Sequence, residues 1–91
     1  AAYPDSEDTM YDADTAYVSA SYHAATEALQ LRMDALGKAI GAALGGRFLG
    51  ARTCISTQIR HLEFEMSEHQ AERAKADLDD VGFESTVRVM V

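Results

Sequence analysis

The chain has 91 residues, enough for one domain with a modest core. Its 47% apolar content excludes a compositionally disordered chain, and no apolar run nears the ~20 residues of a membrane span. A formal charge of −7 makes nucleic acid an unexpected partner, because neutralising phosphate supplies most of that affinity.

The charge is unevenly placed. Asp5, Glu7, Asp8, Asp12 and Asp14 crowd the first fourteen residues, whereas Lys38, Arg47, Arg52 and Arg60 occupy a stretch with no acid between Asp34 and Glu63. One cysteine, Cys54, allows no internal disulfide, which favours a reducing compartment. The acidic start lacks the basic-then-apolar order of a signal peptide. The cytoplasm, or a particle assembled there such as a virion, is the expected location.

Residues 1–11 read as an acidic extended tail, and residues 12–91 as a single α+β domain. Asp12 or Asp14 is placed to cap a helix, since a short side-chain oxygen satisfies the free N–H groups of a first turn. A long N-terminal helix is predicted from there to about Leu44, free of proline and rich in alanine. Val18, Tyr22, Ala25, Leu29, Leu36, Ile40 and Ala43 follow the spacing of one helical face. A second stripe of mostly small side chains includes Ala20, Ala24, Ala28, Ala35 and Ala39.

About thirty helical residues would make a rod of about 45 Å, too long for so small a core. The helix is therefore expected to break near Gly37–Gly45 or to pack along another copy. Gly37, Gly41 and Gly45 recur every four residues and share a face. Glycine there costs roughly 1 kcal/mol each against alanine, and close approach of a packed neighbour, within the chain or from another, would offset it.

Gly45 to Gly50 reads as a connector, and residues 54–66 as extended, with Leu62, Phe64 and Met66 alternating against His61, Glu63 and Glu65. Ser67 and Gln70 form a capping box for a second helix, whose buried stripe is Ala71, Ala74, Leu78 and Val81. Gly82 stands where a left-handed residue ends a helix, and Phe83 can close over the last turn. A strand from Glu84 to Val91 completes a strand–helix–strand unit. Two strands make a marginal sheet, so strands from a neighbour are expected and oligomerisation with them.

No catalytic constellation emerges, and no metal or cofactor is assigned. Gly37-Lys38-Ala39, with Arg32 upstream, fails the phosphate-loop pattern. His61, Glu63, Glu65 and His69 have no recognised ligand spacing, and Glu63 with Glu65 reads as a wet strand face. On an uninterrupted strand Cys54 and His61 would fall on opposite faces. Three sets of residues are candidates for binding. Gly37, Gly41, Gly45, Ala35 and Ala39 offer a small-residue face to a partner. Tyr3 and Tyr11, beside acids, suit docking onto a complementary basic surface, as an arm between subunits. Gly46, Arg47 and Arg52 could present backbone N–H groups and guanidinium to an anion or nucleotide.

Two resemblances are carried by particular residues. Leu62 to Glu72, then Leu78 and Val81-Gly82-Phe83, resemble half of a sporulation-related repeat (SPOR) domain, a likeness that implies peptidoglycan binding. The whole-chain order, with its alanine-rich helix, glycine connector, strand, helix ending in Leu-x-x-x-Gly-Phe and valine-rich last strand, resembles many small proteins of tailed bacteriophages. That likeness implies a virion component or accessory factor and no catalytic residue. The expected function is a non-enzymatic assembly or interaction protein, acting as a homo-oligomer or part of a larger particle, with a small-ligand (anion or nucleotide) binder or a SPOR-like peptidoglycan-binding module as the alternatives.

Overall fold

The computed structural model describes residues 15–89, and its first element is a strand, β1 (Thr15–His23), not the start of a long helix. The cause is periodicity. Ala16, Val18, Ala20 and Tyr22 are all buried, while the residues between them are not. Positions four apart share a face in a helix and in a strand alike, so Val18 with Tyr22, or Ala20 with Ala24, satisfied both patterns. The repeat of two, with Thr15, Val18 and two tyrosines, suits a pleated and half-buried surface. The expected cap at Asp12 or Asp14 and the tail of residues 1–11 lie outside the described residues.

Helix α1 (Glu27–Ala43) begins at Thr26, whose hydroxyl accepts from the Leu29 N–H at 3.1 Å. Its 17 residues span about 25 Å, not the 45 Å of the expected rod, and it runs unbroken through Gly37 and Gly41. It closes with two paired hydrogen bonds, Gly45 N–H to Ala42 O (3.0 Å) and Gly46 N–H to Gly41 O (2.8 Å). Gly45 takes φ +77°, which an L side chain resists. Gly37 and Gly41 are buried against the sheet, where a Cβ would meet Leu62 at 2.9 Å and Phe64 at 2.6 Å. Gly37 and Gly41 do serve close packing within the chain, whereas Gly45 packs against nothing and serves the helix stop.

The Gly45–Gly50 segment is only briefly a connector, because strand β2 (Arg47–Cys54) starts two residues after Gly45. A four-residue turn then leads into strand β3 (Ile59–Ser67), with Gln58 N–H bonded to Cys54 O at 2.7 Å. Residues 54–66, expected as one extended run, are thus a strand end, a hairpin turn and a second strand. The alternation in β3 is as expected, with Leu62, Phe64 and Met66 buried.

Helix α2 (Glu68–Asp80) is capped by Ser67, whose hydroxyl accepts from Gln70 N–H at 3.3 Å. Gly82 takes φ +110° and Phe83 N–H returns to Leu78 O at 3.0 Å, the expected helix stop. Strand β4 (Glu84–Val89) follows.

All strand pairs are antiparallel, in the order β2-β3-β1-β4. Each helix links two strands across the one between them, the ferredoxin-like β-α-β-β-α-β arrangement. Here β1 lies between β3 and β4, so the strand expected from a neighbour comes from the same chain. Both helices pack on one face of the sheet, over a core of Val18, Leu62, Phe64, Leu78 and Phe83. Tyr22 and Phe83 meet edge to face at 5.5 Å. An ion pair pins α1 to the sheet, with Arg60 Nε on the Asp34 carboxylate at 2.8 Å and the Tyr22 hydroxyl donating to the same group at 2.7 Å. At the other side, Lys75 of α2 bonds Asp79 and the Ser85 carbonyl, and the Ser85 hydroxyl donates to Asp79, which ties α2 to β4. No described helix is long and apolar enough to cross a membrane.

Candidate interaction surfaces

The helices leave the other sheet face open. Side chains directly opposite in an antiparallel pair share a face. The register therefore lays Arg47, Glu65, Tyr17 and Arg88 in one row, with Gly50, Glu63, Ser19 and Thr86 in the next. Arg52, His61, Ser21 and Glu84 form the third. Much of this face satisfies itself. Arg47 pairs with Glu65 at 2.6 Å, the Ser19 hydroxyl donates to Glu63 at 3.4 Å, and the Arg88 guanidinium lies 5.7 Å from the Tyr17 ring. An antiparallel sheet with one dry and one wet face is the expected outcome.

The candidate residues separate accordingly. Gly37 and Gly41 are filled by the protein's own Leu62, Phe83 and Phe64, while Gly45 has open space around its Cα. Ala35 and Ala39 lie exposed on the outward side of α1. The Gly46 N–H is bonded to the Gly41 carbonyl at 2.8 Å and so is not presented to an anion. Arg47 is held by Glu65, and Arg52 instead borders a shallow depression of about 260 Å³ with Gly50, His61 and Glu63. The anion-site residues are thus not brought together. Tyr3 and Tyr11 lie outside the described residues.

His61, Glu63 and Glu65 do share the open face, but among the described residues no three His, Cys, Asp or Glu side chains group to hold a metal ion. The hairpin changes one relation. Cys54 pairs with Ile59 and Arg52 with His61, so Cys54 and His61 share the open face rather than opposing it. Cys54 is exposed, and hydrogen bonds from the Ser56 side chain, then from Thr57, lower its thiol pKa to about 7. Labelling by a chromogenic disulfide reagent is expected to reach half its maximal rate near pH 7. Ser56→Ala should move that midpoint upward, towards the ordinary value of about 8.5. An unmoved profile would show that the hairpin tip does not stabilise the thiolate.

The feature that sequence reading missed is the flank formed by β2. Phe48 is 39% exposed, Leu49 42% and Ile55, at the hairpin tip, 91%. The Lys38 ammonium sits 4.9 Å from the Phe48 ring, and Leu31, two turns earlier on the same side of α1, is 68% exposed. β2 has one sheet neighbour, β3, and carries Arg47 and Arg52 with no acid. The legible signal was Arg47-Phe48-Leu49 directly after a glycine pair, which marks a helix stop followed by a strand. The stretch that resembles half of a SPOR domain runs from β3 through α2 into β4. A scan against models of known families finds no match for this chain, and a search of curated proteins finds none.

Proposed function

We propose that the protein is a non-enzymatic assembly protein that holds an acidic, tyrosine-bearing segment of a second copy against its β2 flank. The observation that carries this reading is the conjunction of exposed Phe48, Leu49 and Ile55 with Arg47, Arg52 and Lys38 on a chain of net charge −7. Clustered exposed apolar side chains on a small domain mark interaction sites. A free strand edge can accept an extended segment through main-chain hydrogen bonds. The bulge between Phe48 and Gly50 interrupts the ladder of β2, so side-chain contacts must supply part of the hold.

Residues 1–14 have the matching chemistry, with five acids and Tyr3, Met10 and Tyr11. Exchange of such segments between copies would build a homo-oligomer or one part of a larger particle. A tailed-phage virion, or the cytoplasm in which it assembles, is the setting this reading implies.

The test is a charge swap in the intact chain, read by sedimentation velocity. Arg52→Glu is expected to weaken association about tenfold, and adding Asp5→Arg, Glu7→Arg and Asp8→Arg should recover it. Equal association by all three proteins would sink the proposal. A second reading rests on Arg52, whose guanidinium has no ion pair among the described residues. If inorganic phosphate or a nucleotide raised the melting temperature and Arg52→Glu abolished that rise, a small-anion site would replace the docking flank.

A further inference from the structure

The open sheet face is satisfied within itself at one end and not at the other. Arg47 is paired with Glu65, and Arg88 lies over Tyr17. Two rows further along the strands, Arg52 and His61 stand directly opposite each other. Neither side chain makes a hydrogen bond or ion pair with any described residue.

Between these rows there is a gap. Gly50 stands opposite Glu63, so the β2 side of that row carries no side chain. The Glu63 carboxylate has the Ser19 hydroxyl of β1 as its hydrogen-bond donor, at a long 3.4 Å. The bulge inserts Leu49 as an extra residue, 42% exposed, which lines the same depression as Arg52, His61 and Glu63. A bulge re-aims a side chain in this way, and bulges are common beside functional sites.

The depression is about 260 Å³, below the range that encloses a drug-sized molecule, so it suits a small ligand. Its charges narrow the choice. Arg52 and Glu63 are diagonal neighbours across the gap, about 7–8 Å apart, and no ion pair joins them. A simple anion on Arg52 would face the Glu63 carboxylate. A simple cation on Glu63 would face the guanidinium. A ligand that carries both charges on neighbouring atoms meets both.

We propose that the depression formed by Leu49, Gly50, Arg52, His61 and Glu63 binds a small aliphatic α-amino acid as its zwitterion. The carboxylate lies on the Arg52 guanidinium with the His61 ring beside it, the ammonium donates to Glu63, and the aliphatic side chain rests on Leu49. Gly50 admits the ligand, because a side chain there would stand opposite Glu63 and fill the gap. The site does not rest on the docking of an acidic segment. Both use Arg52, but only the amino-acid site needs Glu63.

The test is a titration of the isotope-labelled full chain with L-leucine, N-acetyl-leucine and leucinamide, followed by amide shifts in two-dimensional NMR. Leucine is expected to shift the Gly50, Arg52, His61 and Glu63 amides saturably at millimolar concentrations, the strength of charge pairs that stay in contact with water. N-acetyl-leucine lacks the ammonium and leucinamide the carboxylate, so each should bind about fivefold more weakly. Glu63→Gln should weaken leucine by a similar factor, yet bind N-acetyl-leucine more tightly than the parent does, because the repulsion is gone. Misfolding of the variant could not move the two ligands in opposite directions.

Equal binding of leucine and N-acetyl-leucine by the parent would overturn the proposal and leave a plain anion site. Leucine shifts that Glu63→Gln does not weaken would overturn it as well. So would the absence of saturable shifts at tens of millimolar leucine, in the parent and in the Asp5→Arg/Glu7→Arg/Asp8→Arg protein, whose acidic segment no longer competes for Arg52. None of these outcomes reads association between copies, so the docking flank is judged separately, by sedimentation.

Discussion

Gly41→Val should destabilise the protein by about 3 kcal/mol, the upper range for forcing volume into a packed core. At about 4–8 °C per kcal/mol for a domain this small, the melting midpoint falls by more than ten degrees. A Cβ at residue 41 would stand 2.6 Å from Cε2 and 2.7 Å from Cδ2 of Phe64. Phe64 is 1% exposed, with Phe48 5.5 Å away on the neighbouring strand, so the ring has little space to retreat. The gain in helix propensity over glycine is under about 1 kcal/mol and does not offset the clash. Shortening the ring in Gly41→Ala/Phe64→Leu should recover stability relative to Gly41→Ala alone. Gly45→Ala, which meets nothing within 4 Å but sits at φ +77°, should lose only the left-handed penalty of about 1–2 kcal/mol. Thermal melts by circular dichroism rank the variants; a Gly41→Val protein as stable as the parent would mean that α1 does not seat on Phe64.

Removal of the Asp34 carboxylate is the second large effect. The Arg60 and Asp34 side chains are 17% and 15% exposed, so Asp34→Ala leaves a largely buried guanidinium with only its Thr53 contact, at 2.8 Å. The expected loss is about 2–3 kcal/mol, most of it the cost of the uncompensated charge. The same carboxylate acts on Tyr22. Burial first, and then the hydrogen bond to Asp34, push the Tyr22 hydroxyl well above the ordinary tyrosine range. A pKa raised in the folded state means that the neutral phenol is the form the fold favours. Its contribution is complete below about pH 10, the unfolded value, and is lost as pH rises beyond it. Absorbance titration near 295 nm should therefore show one tyrosine ionising late, together with unfolding. In Asp34→Ala that step should move down in pH but stay above 10, because burial remains. A late step unchanged by the mutation would remove Asp34 from the account.

The second half of the chain was largely legible. Ser67 with Gln70, Ala71, Ala74 and Leu78 of the expected stripe, and Gly82 with Phe83 are local signals that act within a few residues of where they are read, whereas Val81, expected in that stripe, is 37% exposed. The first half was misread for a physical reason. Thr15 to His23 is rich in alanine and serine, and its even-numbered spacing is a multiple of the strand repeat while also matching helical i, i+4. What makes it a strand is pairing with β3 and β4, at separations of 36 to 73 residues. Thr26-Glu27, the true helix start, was legible but was hidden inside the longer pattern.

The candidate surfaces followed the same division. Residue types and their charges could be read directly: a basic stretch between acidic ends, a glycine repeat that demands close packing, an α+β chain with no assigned catalytic set. Which groups meet could not. Whether Gly37 and Gly41 face Leu62 and Phe64 or another molecule depends on where α1 lands. The pairing of Arg47 with Glu65 depends on a hairpin turn that no spacing announced. Local sequence determines secondary structure where hydrogen bonds and caps close within a turn. Sheet order, the free edges and the partner of each charge were decided by the tertiary structure, because those contacts join residues whose separation in the chain carries no local signal.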